Sequence, residues 1–107
     1  MIFRETRLFT KQVVEKLTDS EYRELQDALM LQPEFGDLIP ETGGLRKVRW
    51  AESSRGKGKR GGLRIIYYWY APRSLIYLLV MYSKSDRDDL SAEEKKTLRK
   101  LVSGEFK

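Results

Sequence analysis

The sequence contains neither cysteine nor histidine among its 107 residues. Without them the chain cannot form disulfides, thiolate nucleophiles or imidazole bases, and it lacks the side chains that hold nearly every zinc site. Any catalysis of proton transfer has to rely on lysine, arginine, tyrosine and carboxylate groups. We therefore expect no metal and no cofactor.

Long apolar runs are also missing, since none approaches the roughly 20 residues that a membrane helix requires. The first residues, MIFRETRLF, carry charges at Arg4, Glu5 and Arg7 and so lack the unbroken apolar segment of a secretory signal. A hydrophobic share of 40% and a charged share of 35% are typical of a soluble globular protein. We expect one domain, residues 1–107, located in the cytoplasm and not bound to membranes.

Positive charge is concentrated in one part of the chain. Before Leu45 there are five Lys and Arg residues against nine Asp and Glu, and from Leu45 onwards there are sixteen against seven. Between Arg46 and Arg64 eight basic residues face a single acidic one, Glu52. A local positive field of this strength favours a polyanion, most often nucleic acid, and a solvated loop without function is the alternative.

Hydrophobic periodicity predicts helices at both ends of the sequence. Residues 2–9 alternate in the manner of an edge strand, and Thr10 is the predicted cap of a first helix. In the second helix apolar residues recur at three- and four-residue steps. Two pairs have the spacing of a capping box before a helix, Thr18 with Glu21 and Ser91 with Glu94.

The middle of the chain predicts a sheet. The proline and glycine residues of 31–44 indicate a loop. Three strand patterns follow at 45–50, 63–70 and 75–82, the last apolar at every position as in a strand buried on both faces. Their short connections favour an antiparallel meander. The fold prediction is α+β: a small, twisted, mainly antiparallel sheet with two N-terminal helices on one face and a C-terminal helix, its other face free for a ligand.

Alternation along the predicted strands gathers basic side chains on that free face. Lys47 and Arg49 share one side of their strand, and Arg46 points to the other. Arg64 lies one residue into the next hydrophobic strand. If the two strands pair, Lys47, Arg49 and Arg64 converge near the hairpin, whereas snorkelling side chains on an edge strand are the alternative for the first two.

The segment between these strands, RGKGKRGG, mixes basic residues with glycine. Glycine permits close approach of the backbone to phosphates. Tyr68 or Tyr70 could stack on a base, although tyrosines more often fill a core or an interface. The candidate contacts to RNA or the ribosome are Arg46, Arg55, Lys57, Lys59, Arg60 and Tyr68.

The combination of GGLRKVRW, GKGKRGGLRIIYYW, an apolar strand, YSKSD and a terminal helix resembles the HigB-like branch of the RelE and ParE toxin superfamily. The likeness covers nearly the whole chain, and residues 43–69 carry its specific part. The resemblance implies a toxin of a type II toxin-antitoxin system that enters the ribosomal A site and cleaves translated mRNA. It implies three partners: a cognate antitoxin, expected to be a HigA-like helix-turn-helix protein, the small ribosomal subunit and mRNA.

Matched by position, the two basic residues of the second strand in RelE-like nucleases correspond to Lys47 and Arg49, and the strand arginine after the loop corresponds to Arg64. Such nucleases also place basic residues after the last strand, where this chain has Lys84 followed by a serine instead of the expected arginine. They use a tyrosine near the C-terminus, and Tyr82 is the last tyrosine here. The catalytic set implied by the resemblance is Lys47, Arg49, Arg64, Lys84 and Tyr82.

RNA carries its own nucleophile, so cleavage by the 2′-hydroxyl requires proton removal, alignment and stabilisation of a negatively charged transition state. Arg64, Arg49 and Lys84 suit the stabilisation. Because arginine keeps its proton, Lys47, Lys84 or a tyrosine has to transfer protons, and Lys47 is the first candidate. Two other functions stay open: a ParE-like protein that inhibits gyrase without chemistry, and a plain RNA-binding module.

Overall fold

The computed structural model describes the backbone of residues 1–52 and 59–106 and the side chains of residues 1–51 and 62–106. The elements are β1 (Ile2–Glu5), α1 (Arg7–Lys16), α2 (Asp19–Leu31), β2 (Asp37–Leu38), β3 (Leu45–Glu52), β4 (Lys59–Tyr70), a 3₁₀ turn (Ala71–Arg73), β5 (Leu75–Ser83) and α3 (Ala92–Phe106). Within these residues no helix has the length and apolar character needed to cross a bilayer.

The five strands form one mixed sheet in the order β1-β5-β4-β3-β2. Neighbours from β2 to β5 are antiparallel, and β1 pairs with β5 in parallel. A parallel pair needs a long crossover, which the helices and three intervening strands provide. The predicted α+β class is confirmed, with one addition: the segment predicted as a loop contains the short strand β2.

Side chains cap α2 and α3 as their spacing predicts. The Thr18 hydroxyl accepts a hydrogen bond from the backbone N–H of Glu21, and the Glu21 carboxylate accepts one from the N–H of Thr18. Ser91 and Glu94 exchange the same two bonds before α3. Both capping boxes satisfy N–H groups that would otherwise lack partners in the first turn.

The start of α1 differs from the prediction. Its cap is Thr6, whose hydroxyl accepts from the N–H of Phe9 at 3.0 Å. Thr10 instead lies one turn inside the helix, where its hydroxyl donates to the Glu5 carboxylate at 2.6 Å. The predicted edge strand therefore ends at Glu5, because the chain turns into the helix as soon as Thr6 can cap it.

The face of the sheet under α1 and α2 is apolar. The fully buried side chains between this face and the two helices include Phe9, Leu25, Leu29, Leu63, Ile65, Tyr67, Ile76, Leu78 and Met81. The hydroxyl of Tyr67 accepts from the N–H of Gly36 at 2.9 Å and donates to the carbonyl of Pro33 at 2.8 Å. The polar tip of a core tyrosine is thereby satisfied, and the loop after α2 is fastened to the sheet.

The opposite face is partly covered by α3. Val102 is buried against it, and the ring of Phe106 stacks on those of Tyr68 and Tyr70 with centroids 5.5 and 4.5 Å away. The prediction that this face is free is therefore wrong for the end of the sheet that carries these tyrosines. The apolar stripe of α3 has to be buried somewhere, and the uncovered sheet face offers the area.

Candidate functional site

Three predicted basic residues lie close together on β3 and β4. Arg49 is the direct cross-strand partner of Arg64. Lys47 is the partner of Ile66, two residues away along each strand. Directly opposite residues of antiparallel strands point to the same face, so all three side chains lie on the face that carries α3. The strands pair in the register that brings the cations together.

Arg64 and Arg49 differ in exposure. Arg64 is 7% exposed and held among the strands, whereas Arg49 is exposed and forms no ion pair with another described residue. Like charges directly opposite each other on a sheet are unfavourable. Because Arg49 and Arg64 are cross-strand partners on one face, a bound anion between them would lower the electrostatic energy.

Tyr82 extends this row across the sheet, because it is the cross-strand partner of Arg64 on β5. Its buried hydroxyl donates to the Asp89 carboxylate at 3.4 Å. Burial and the charge of Asp89 raise the pKa of Tyr82 to about 12, although Arg87 and Arg64 act in the opposite direction. At neutral pH the phenol keeps its proton and is a hydrogen-bond donor.

Asp89 is the acidic centre of the site. Its carboxylate accepts from Tyr82 and lies 3.5 Å from the Lys47 Nζ and 4.0 Å from the Lys95 Nζ. Burial raises the pKa of Asp89, but the N–H of Leu90 and the two ammonium groups outweigh it and leave the pKa below its usual range. Asp89 is therefore a carboxylate that holds two lysine side chains in place.

Arg87 lies on the other side of Tyr82. Its guanidinium is 4.8 Å from the centroid of the Tyr82 ring, and its Nη1 donates to both carboxylate oxygens of Glu94 at 2.9 and 2.7 Å. Sequence reasoning missed Arg87, Asp89 and Lys95. The composition of residues 83–90, SKSDRDDL, indicates a polar loop, and nothing in it separates one carboxylate from the next.

Two further candidates lie at opposite sides of the sheet. Lys84 lies in the turn that follows β5, where its N–H donates to the Gly62 carbonyl at 2.8 Å and its side chain is exposed. Arg46 points to the other face, as predicted from alternation. Its guanidinium donates to the Gly36 carbonyl at 2.8 Å and so supports the loop after α2.

Tyr68 shares the face of Arg64 but lies four residues further along β4, where it stacks on Phe106. The structure does not bring it into contact with the cation row. The remaining candidates in the glycine-rich segment lie outside the described residues: Arg55 and Lys57 entirely, and the side chains of Lys59 and Arg60.

The site can stabilise negative charge and donate protons. It combines guanidinium and ammonium groups with a protonated phenol, and a sheet holds most of them in fixed positions. Donors fixed in advance stabilise a developing anion without reorganising at the moment of reaction. Since the chain has no histidine, the site offers no imidazole base.

Comparison with known proteins supports the architecture. No protein-family model matches the sequence. The structure is similar to that of the E. coli toxin RelE, solved as a double mutant in the free state, with a TM-score of 0.60 over 91% of this chain and 95% of that one. Sequence identity is 12%. The protein therefore has the α+β fold of the RelE toxin structure.

Proposed function

We propose that the protein is the toxin of a type II toxin-antitoxin system, HigB-like within the RelE superfamily, and that it cleaves translated mRNA on the ribosome. The observation that carries the proposal is the opposed pair Arg49 and Arg64, with Lys47 beside it, on a RelE-like fold. A phosphodiester between the two guanidinium groups removes their repulsion. A gyrase-binding surface has no need of such convergence, which favours a nuclease over a ParE-like inhibitor.

In the proposed reaction the 2′-hydroxyl loses its proton to solvent water and attacks the adjacent phosphorus, and the 5′-oxygen leaves with a proton from the protein. The products are a 2′,3′-cyclic phosphate and a 5′-hydroxyl end. Arg64 and Arg49 bind the non-bridging oxygens, whose negative charge grows in the transition state. Lys84, two residues after Tyr82, adds a further positive charge near the end of β5.

Lys47 donates a proton to the leaving oxygen. It is the cation of the ion pair with Asp89, and the pair holds its Nζ beside the arginine row. Tyr82, with a pKa raised to about 12, donates a hydrogen bond instead of accepting the proton of the 2′-hydroxyl. Since arginine keeps its proton, the site is stronger in acid than in base catalysis. Alignment of the attacking oxygen by the ribosome therefore supplies part of the rate.

Two kinds of partner follow from this proposal. One is the small ribosomal subunit with its mRNA, which presents the phosphodiester to the cation row. The other is a cognate antitoxin, a HigA-like helix-turn-helix protein, which neutralises the toxin by covering the row or by blocking entry into the ribosome.

The experiment that tests the proposal maps mRNA 5′ ends after induced expression, with and without translation. We expect new 5′-hydroxyl ends inside open reading frames only while translation proceeds, and at least about 10²-fold fewer of them with Arg64→Ala. Gyrase-dependent DNA breaks without mRNA cleavage would identify a ParE-like inhibitor. Absence of both, with RNA binding retained, would identify a binding module.

A further inference from the structure

A pocket lies between α3 and the turn that precedes β3. It is on the same face of the sheet as the cation row of Lys47, Arg49 and Arg64. Its volume is about 230 Å³, and its lining includes Thr42, Gly43, Tyr68, Arg99, Ser103 and Phe106. Pockets for drug-sized ligands measure about 300–1,000 Å³. This pocket is smaller than that range, and its lining combines aromatic rings, hydroxyl groups and a guanidinium group. A single nucleotide suits both the size and the chemistry.

The turn at the edge of this pocket brings the backbone of Gly43 and Gly44 close to the side chains of Arg99 and Tyr68. Gly43 and Gly44 have φ values of +76° and +112°, which other residues rarely adopt. A Cβ on Gly43 would lie 3.7 Å from the Arg99 side chain, and one on Gly44 would lie 3.1 Å from the Tyr68 ring. The hydroxyl of Thr42 bonds to backbone on both sides of the turn, at 2.7 and 3.2 Å. The pocket edge is therefore fixed in position.

Arg99 has its charge available for a ligand. Its side chain is exposed, and within the described part of the chain it forms neither an ion pair nor a hydrogen bond. Guanidinium groups bind phosphate through paired N–H donors. An arginine beside an aromatic ring can therefore hold a phosphate while the ring stacks on the attached base.

The pocket lies within reach of the cation row. Tyr68 is four residues from Arg64 on the same face of β4, which is about 13 Å along a strand. Lys95 and Lys47 approach the same carboxylate, at 4.0 and 3.5 Å. Arg99 follows Lys95 by one helical turn, about 6 Å. A line of cations thus leads from the cation row to the pocket between β3 and α3.

We infer that this pocket binds a nucleotide flanking the cleaved phosphodiester, with its phosphate on Arg99 and its base against Tyr68. The inference rests on the proposed nuclease function and deepens it. The substrate is then a single-stranded RNA held at two separate subsites, and the pocket is where base preference arises.

Two variants test the inference in a translating extract, by mapping cleaved ends and measuring the cleavage rate. Arg99→Ala removes the phosphate contact, and Ser103→Phe fills the pocket without changing charge. Lys100→Ala is the matched control, because it removes an exposed cation from the same helix outside the pocket lining. All three should unfold at the temperature of the parent.

We expect Arg99→Ala to slow cleavage about tenfold and Ser103→Phe to slow it at least about fivefold. Both should weaken the base preference at one position near the cut, and Lys100→Ala should preserve rate and preference. If the parent cleaves and either pocket variant matches Lys100→Ala, the subsite is refuted while the nuclease proposal stands. If the parent cleaves no mRNA, the nuclease proposal fails and the subsite fails with it.

Discussion

The two faces of the sheet are built from the same strands but differ in what they bury. β4 presents Leu63, Ile65 and Tyr67 to α1 and α2, and Arg64, Ile66 and Tyr68 to the side of α3. The centre of the first face is apolar and is covered by the two helices, and Arg46 lies at its β3 side. The second is apolar under the C-terminal half of α3 and cationic beside the β3–β4 pair.

This difference shows how a small protein separates folding from chemistry. Because side chains alternate along a strand, one residue contributes to the core and the next to the site without lengthening the chain. Substitutions toward α1 and α2 should then change stability, and substitutions in the cation row should change activity.

The largest expected effect is on the covered face. Phe9→Ala should lower the free energy of unfolding by about 3–5 kcal/mol, because it leaves a cavity under α1 where the ring is fully buried. Val14→Ala on the same helix removes an exposed side chain and should change it by less than about 0.5 kcal/mol. Denaturant unfolding measures both values, and equal effects would contradict the assignment of the core to this face.

Arg64→Ala tests the cationic face of the sheet. The rate of mRNA cleavage should fall about 10²–10³-fold, because a fixed donor to the transition state is lost, while cooperative unfolding is retained. Arg73→Ala is the control, since that exposed arginine lies in the 3₁₀ turn at the other end of β4. Full cleavage by the Arg64 variant in a translating extract would overturn the phosphate-binding role.

Lys47→Arg separates charge from proton donation within the cation row. Arginine can keep the ion pair with Asp89 but does not release a proton, so we expect cleavage to slow about 10²-fold while RNA affinity changes little. Lys95→Arg, which also faces Asp89, should cleave at the parental rate. Single-turnover cleavage and RNA titration distinguish the two effects, and a Lys47→Arg rate equal to that of the parent would exclude proton transfer by Lys47.

The helix caps offer a finer comparison of the two faces. Thr18→Ala and Ser91→Ala should each lower stability by about 1 kcal/mol, because each removes a capping hydroxyl. Only Ser91→Ala should also slow cleavage, since Glu94 of its capping box holds Arg87 against Tyr82. Thermal unfolding and cleavage rates on the same samples test this, and a matching loss of activity in Thr18→Ala would argue against it.

The smallest effect concerns acid stability. The N–H of Ser91 and the guanidinium of Arg87 hold the pKa of Glu94 below its usual range. A lowered folded-state pKa contributes stability that is complete above the ordinary carboxyl pKa of about 4 and is lost as the pH falls through the lowered value. The parent should therefore lose stability on acidification, and Glu94→Gln should lose less. Unfolding curves at neutral and acidic pH, compared between the two proteins, measure the difference.

Much of the fold was predictable from local pattern. The strands around Arg49 and Arg64 and the boxes at Thr18 and Ser91 follow rules that operate within a few residues. The start of α1 was placed wrongly because Thr6 and Thr10 are both acceptable caps by composition. Only the turn of the chain after β1 selects Thr6.

By itself the sequence determined that Lys47 and Arg49 share a face, because alternation in a strand is set by backbone geometry. The register in which β3 pairs with β4 decided that Arg64 joins them. The tertiary structure alone decided that Asp89 meets Lys47, 42 positions away in the sequence, and that α3 covers part of that face. Contacts between a loop and a distant strand depend on how whole elements pack. No short-range pattern in the loop encodes them.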